Sequence, residues 1–388
     1  MHTNNEYRDL VSRARRIVVK IGSRVLIQRS GRPDLQRIRA LVKDIALLQK
    51  GGREVICVSS GAIGAGIESM GFRKRPDNLP DLQMAAAIGQ TRLMSRYEEL
   101  FAAEKCKIAQ VLLTHDDLRN RVRHLNARNT MLALLRNGVI PIVNENDVVA
   151  VDEIKFGDND ILASLVTLLI DAEMLILLST VDGLRRPAAG GKTRRISLLE
   201  GITPETLKLV RRNDSAFTVG GMASKLEAAQ TVADMGSLAI IANGRKSGTL
   251  TRLMQGKDVG TLIAHAKILE KPHLASRKKW IAFFNKAGGT LAIDDGAREA
   301  LEKSGKSLLP IGIKDVQGDF DVGAVVNVRT LKGTHVARGL TEYSSKDIRT
   351  IMGHRTSEIA GLLGSKDFDE VIHRDNMVIL KNLRKDSR

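Results

Sequence analysis

Short β-branched runs alternate with long amphipathic stretches over the first 245 residues of the chain. RIVVK (16–20), EVICVS (54–59), IAQVLL (108–113), VIPIV (139–143), MLILL (174–178) and LAIIA (238–242) are short and almost uniformly apolar, the pattern of strands buried on both faces. Between the first two, Leu35, Ile38, Leu41, Val42, Ile45 and Leu48 recur at helical spacing and predict a helix over 34–50. Further helices are predicted near 82–103 and 122–137, and another starting near Asn159. Strand and helix in regular alternation predict an α/β fold, a mostly parallel sheet sandwiched by helices.

Near residue 260 the texture changes. Short strand-like pieces, TLAI, VVNVRT and HVARGL, are separated by Gly and Asp and predict a small, mostly β second domain. The division expected is 1–262 and 277–388, with a linker at about 262–276.

Composition narrows the picture only in part. Of 388 residues, 43% are hydrophobic, enough for more than one core, and 3% are aromatic, so the packing is aliphatic. The formal net charge of +17 suits either a nucleic-acid binder or an enzyme with anionic substrates, and it is spread along the chain rather than gathered in one segment. Cys57 and Cys106 make no disulfide framework and have no metal-ligand spacing. The most lipid-like run, ILASLVTLLI, lies between Asp160 and Asp171 and is far short of the about 20 residues a spanning helix needs. Nor does MHTNNEYRDLVSRARR have the apolar stretch of a signal peptide. A cytoplasmic protein without membrane segments is expected.

Against this basic background, the stretch VNENDVVAVDEIKFGDND (143–160) gathers acids and amides between two apolar runs. Open α/β sheets bind ligands beyond the carboxyl ends of their strands. Four loops leave a strand there with unusual chemistry: KIGSR (20–24), SSGAIGAG (59–66), NENDVV (144–149) and STVDG (179–183). Asp147 is suited to hold an ammonium group, and the Asn amides to orient a carboxylate without repelling it. The spacing of Gly61, Gly64 and Gly66 is not the dinucleotide fingerprint; it fits backbone approach to an anion at a helix N-terminus or plain helix packing. Two Gly-Lys-hydroxyl triplets fail as P-loops, because Arg186 and Ala300 stand where the first glycine is required. Lys20 ends an apolar strand, where a charge is costly unless it faces a site, and Lys225 follows VGGMAS at a helix start. With Asp160 they make a candidate phosphoryl clamp.

The words VVKIGS, SSGAIGAG, AAAIGQ, LNARNT, PIVNEND, EIKFGDND and VGGMASK, in that order over 16–260, resemble the amino acid kinase family, within it the kinases that phosphorylate L-glutamate with ATP. RKKWIA, IDDGA, SLLPIGI, VQGDF, ARGL and HRDNM resemble the PUA domain of RNA-modifying enzymes. The resemblance implies the amino acid kinase fold and transfer of phosphate to the side-chain carboxylate, giving L-glutamyl 5-phosphate, the first step of proline biosynthesis. It implies that Lys20, Asp160 and Lys225 are catalytic. It places ATP on Lys20, Gly22, Ser23, Ser179, Thr180, Val219, Gly220, Gly221, Met222, Ala223, Ser224 and Lys225, and glutamate on Ser60, Gly61, Asp147 and Asn159. Mg²⁺ would arrive on ATP, with no metal site of the protein's own. A homo-oligomer and inhibition by proline are further implications, and so is RNA binding through the PUA-like tail.

The chain also departs from the family pattern. Thr180 stands where an Asp is usual, Arg185 where a Tyr is usual, Pro187-Ala188-Ala189 lacks the Asp-Pro, and Arg24 replaces a small hydroxyl residue. These departures, the charge and the tail motivate an alternative, an RNA-binding regulator with a vestigial kinase site. A kinase for another carboxylate or a carbamate is a third reading.

Overall fold

The computed structural model describes residues 3–28, 33–72, 74–150, 159–203, 205–207, 209, 221–269 and 287–380. The chain divides into two compact units, Met1–His273 and Leu274–Arg388.

The first unit is built on an eight-stranded sheet. Its strands are β1 (Arg16–Ile21), β2 (Glu54–Val58), β3 (Lys107–Leu113), β4 (Val139–Glu145), β5 (Met174–Ser179), β8 (Leu198–Leu199), β9 (Leu238–Asn243) and β10 (Thr261–Ile263); β6 (Arg185–Pro187) and β7 (Thr193–Arg195) form a separate hairpin. The order across the sheet is β3-β4-β2-β1-β5-β9-β10-β8. All its pairs are parallel except β9 with β10. The six strands legible as apolar runs are β1 to β5 and β9. Helices cover β1, β4, β5 and β9, whose side chains are buried almost throughout, which is why they show no polar alternation. At the edge, β3 is partly exposed.

The helix Leu35–Lys50 starts at Asp34, whose carboxylate accepts a hydrogen bond from the Arg37 N–H, and buries Ile38, Leu41, Val42, Ile45 and Leu48. Leu35, counted in the stripe from the sequence, is exposed: it is the first residue of the helix, where the face has not yet turned to the core. The helix Leu79–Ala103 starts at the Asn78 cap, with Pro in its first turn, a little earlier than its apolar pattern begins. The glycine-rich SSGAIGAG opens a helix. Only Gly61 is left-handed (φ 101°), and a helix, Ala62–Ser69, follows at once.

The boundary expected at 262 falls inside β10. Leu262 and Ile263 pair with β9 on one side and β8 on the other, so the first unit runs beyond it. Residues 270–286, including the RKKWIA word, are outside the described residues.

The second unit is a five-stranded sheet of β11 (Gly289–Ile293), β12 (Ile313–Gln317), β13 (Val325–Thr330), β14 (His335–Leu340) and β15 (Met377–Ile379), in the order β12-β11-β13-β14-β15. Its own core includes Leu291, Ile293, Val326, Val328, Val336, Ile348 and Ile372. Helices Asp295–Ser304 and Ser345–Ile351, capped by the Asp294 and Ser344 side chains, accompany the strands. No helix among the described residues is long and apolar enough to cross a membrane.

Candidate active site

β1, β2, β4, β5 and β9 send their carboxyl ends to one edge of the sheet, and the sequence-predicted residues collect there. Lys20 is the penultimate residue of β1, following a wholly apolar stretch. Asp160 lies in the first turn of helix Asn159–Leu169, and Lys225 in the first turn of helix Met222–Asp234. Those helices pack on each other and on the sheet, so two of their N-termini open at the same edge. The Lys20 Nζ is 2.6 Å from Asp160 Oδ1, and the Lys225 Nζ donates to Asp160 Oδ2 at 2.8 Å. Both ammonium groups thus sit on one carboxylate, one to each oxygen.

The three charges are withdrawn from solvent. Asp160 is 0% exposed, Lys20 5% and Lys225 6%. Burial, the largest single influence, pushes the Asp160 carboxyl up, but the charges and hydrogen bonds of Lys20 and Lys225 together outweigh it and hold the group below its ordinary value. Among the described residues one acid here faces two cations, and the positive ends of two helices flank them. Such a place favours an anion with several oxygens. Ser224 adds a hydroxyl near it, 3.4 Å from Asp160 Oδ2 and donating to the Gly221 carbonyl at 3.2 Å.

On the β2–β4 side a cavity of about 610 Å³ opens, lined by Ser60, Gly61, Asn144, Glu145, Asp147 and Asn159 among others. Its wall is a chain of amides: Asn159 Nδ2 donates to the Ser59 carbonyl at 2.7 Å and to Asn144 Oδ1 at 2.8 Å, and Asn144 Nδ2 donates to Gln90 Oε1 at 2.8 Å. Ser60 Oγ donates to the Ile21 carbonyl at 2.8 Å, tying the glycine loop to the strand that carries Lys20. Gln90 and Glu145 were not singled out from the sequence. Each is unremarkable in a helix or a strand end and gains meaning only from the cavity it faces or supports.

On the β5–β9 side, Gly22 and Ser23 follow β1, while Ser179 and Thr180 close β5. The Gly22 N–H donates to the Leu178 carbonyl at 3.1 Å, and a Cβ at Gly22 would stand 3.1 Å from that same oxygen. Gly221, Met222, Ala223 and Ser224 surround the start of the Lys225 helix; Val219 and Gly220 are outside the described residues. Of the departing residues, Arg185 turns back to Asp182 (2.7 Å) and to Thr193 of its own hairpin. Sequence reasoning also passed over Asn243, the last residue of β9, and Arg245 on the loop leaving it, which bind Thr180 and the loop after Gly22. Among the described residues no group of three or more His, Cys, Asp or Glu side chains could hold a metal ion.

Residues 15–243 match the amino acid kinase family, and residues 289–363 match the PUA domain. The chain is 46% identical to a glutamate 5-kinase of Citrifermentans bemidjiense over 375 residues, 96% of this chain and 100% of that one. It is 45% identical to a glutamate 5-kinase of Geobacter sp. strain M21 over the same shares. To that of Moorella thermoacetica it is 42% identical over 381 residues, 97% of this chain and 100% of the relative.

Proposed function

The chain belongs to the amino acid kinase family, among its glutamate 5-kinases, and from that premise we infer how its cleft phosphorylates L-glutamate with ATP. The product is L-glutamyl 5-phosphate, and the reaction opens proline biosynthesis. In our reading the γ-phosphoryl group lies between the two sides of the cleft, where Lys20 and Lys225 meet on Asp160.

The nucleophile is an oxygen of the glutamate side-chain carboxylate. It is already ionised, so no general base is needed, in keeping with the lack of histidine in the four strand-end loops. The carboxylate oxygen forms a bond to the γ-phosphorus as the bond to the β-phosphate oxygen breaks, and ADP leaves with that electron pair. No proton has to move. Such a loose transfer depends on alignment and on positive charge around the three equatorial oxygens. Lys20 and Lys225 supply the charge from opposite oxygens of Asp160, and Asp160 fixes their direction. Asp147 would receive the substrate ammonium, while Ser60, Gly61 and Asn159 would hold the rest of glutamate. Gly22, Ser23, Ser179, Thr180 and the Gly221–Lys225 turn would seat the nucleotide. A divalent cation, Mg²⁺ in this proposal, would ride on the ATP phosphates. A cytoplasmic homo-oligomer restrained by proline completes the proposal.

The observation that carries this reading is the shared carboxylate, two buried ammonium groups on its two oxygens. Replacing Lys20 or Lys225 with Ala should each lower kcat by on the order of 100-fold, the usual cost of one charge contact to a transition state. ADP release with L-glutamate measures it, and aspartate and N-acetylglutamate run alongside test the acceptor. Near-normal turnover in both variants would remove the lysines from the chemistry. The alternative of a vestigial kinase site is not favoured, since the relatives named glutamate 5-kinase match nearly the whole chain. RNA binding through the PUA domain is compatible with kinase activity and is tested by a salt-dependent gel shift.

A further inference from the structure

The end of β9 and the loop leaving it grip both loops that would hold the nucleotide. Asn243 Nδ2 donates to the Thr180 carbonyl at 3.2 Å, and the Gly244 N–H donates to the Ser179 carbonyl at 2.8 Å. Two residues on, Arg245 reaches to the loop after β1. Its Nη2 donates to the Arg24 carbonyl at 2.8 Å and to the Ile27 carbonyl at 3.3 Å. Those oxygens belong to the single helical turn Ser23–Leu26 and its exit, a turn too short to satisfy its own carbonyls. The turn after β9 is held in shape from two directions, because the Asn243 Oδ1 accepts the Arg245 N–H at 2.8 Å and the Asn243 carbonyl accepts Thr249 Oγ1 at 2.8 Å.

Packing closes the same junction. A Cβ at Gly244 would stand 2.9 Å from Val25 Cγ1 and 3.0 Å from Leu178 Cβ, so the β1 loop, the end of β5 and the β9 turn interlock with no room for a methyl group. Among the described residues the buried Arg245 Nε has no hydrogen-bond partner. A guanidinium left with an unsatisfied donor is held there by what its other nitrogens do.

We propose that Asn243 and Arg245 are positioning residues for ATP: Arg245 sets the conformation of the Gly22–Ile27 loop against the phosphates, and Asn243 sets that of Ser179-Thr180. The inference rests on the assignment of those two loops to the nucleotide. It also accounts for how the strand-end loop is fixed in a chain that has Thr180 where related kinases usually have Asp. The fixing passes through the Thr180 backbone, so the side chain at 180 is free to differ.

The experiment compares Arg245→Met, Arg245→Lys and Asn243→Ala in the full chain. It measures KM for ATP, KM for glutamate and thermal midpoint, with Lys225→Met as the control for the site. Arg245→Met should raise KM for ATP about tenfold, the factor expected from losing such an anchor, and leave KM for glutamate within about twofold. Arg245→Lys should restore part of the loss, since one ammonium reaches one carbonyl of the two. Asn243→Ala should move KM for ATP in the same direction, and it keeps the idea testable if the arginine variants fold poorly. A lowered thermal midpoint with both KM values unchanged, or raised together, makes the turn merely structural and overturns the proposal. If Lys225→Met keeps its turnover, the failure lies instead in the site assignment.

Discussion

Asp160 has no access to solvent and is bound by two lysines that are almost as deeply buried. Removing its charge while keeping its shape, as in Asp160→Asn, strips two buried ammonium groups of the carboxylate they share. Breaking a buried charge pair in this way costs about 3 kcal/mol or more, which denaturant unfolding at neutral pH would measure. The sign of the pH dependence follows from the carboxyl lying below its ordinary value of 3.8. Its contribution to stability is complete above that value and is lost as pH falls through the lower folded value. The stability gap between wild type and Asp160→Asn should therefore narrow on the acid side of 3.8; a gap independent of pH would mean that the carboxylate is not the stabilising group. At this scale much of the site was legible. A lysine ending an apolar strand, or an aspartate starting an apolar helix, conflicts with its surroundings, and the conflict is visible without a fold. Gln90, Asn243 and Arg245 create no such conflict. They matter through partners 54, 63 and 221 positions away, which no local pattern records.

Elements were legible where a residue's environment repeats along the chain. The apolar strands and the Leu35–Lys50 stripe did so; the two-residue β8 and three-residue β10 are too short to carry a period. The glycine stretch begins a helix and packs it, both of which its spacing allowed. Gly61 needs its glycine for a left-handed backbone, but Gly66 is a glycine because another helix crosses it. A Cβ on Gly66 would lie 1.7 Å from the Ala85 carbonyl oxygen, and one on Gly89 would lie 1.8 Å from that of Ala62. Helices Ala62–Ser69 and Leu79–Ala103 therefore touch backbone to backbone, and the first of them begins at the mouth of the cavity. Gly89→Ala must separate them, since neither backbone oxygen can rotate away. The expected result is a loss of about 1–3 kcal/mol or more, typical of overpacking. Because the shift is transmitted to Ser60 and Gly61, KM for glutamate should rise more than KM for ATP. Equal changes in the two would argue that the crossing supports the fold without shaping the glutamate side.

At the scale of the whole molecule, the +17 charge suits a nucleic-acid binder or an enzyme with anionic substrates, yet part of it is consumed inside the protein. Lys20 and Lys225 are buried at the site, and Arg8, 3% exposed, is spent on Asp258 and the carbonyls of Ser197 and Val259. Formal charge counts all of these as surface. Among the described residues the core of the first unit draws on residues up to Leu269, and that of the second on residues from Leu291 onward. Every residue assigned to glutamate, ATP or the phosphoryl group lies in the first. A chain ending after residue 276 should therefore fold and phosphorylate glutamate with kcat and both KM values within about a factor of two, the scatter seen for independent sites. Coupled ADP release on the truncated chain measures this, and circular dichroism checks that the shorter chain is folded. A folded truncation with kcat reduced tenfold or more would show that the PUA domain acts on the catalytic unit, through assembly or through its conformation. In that event the tail would be a component of the kinase rather than a second module carried by it.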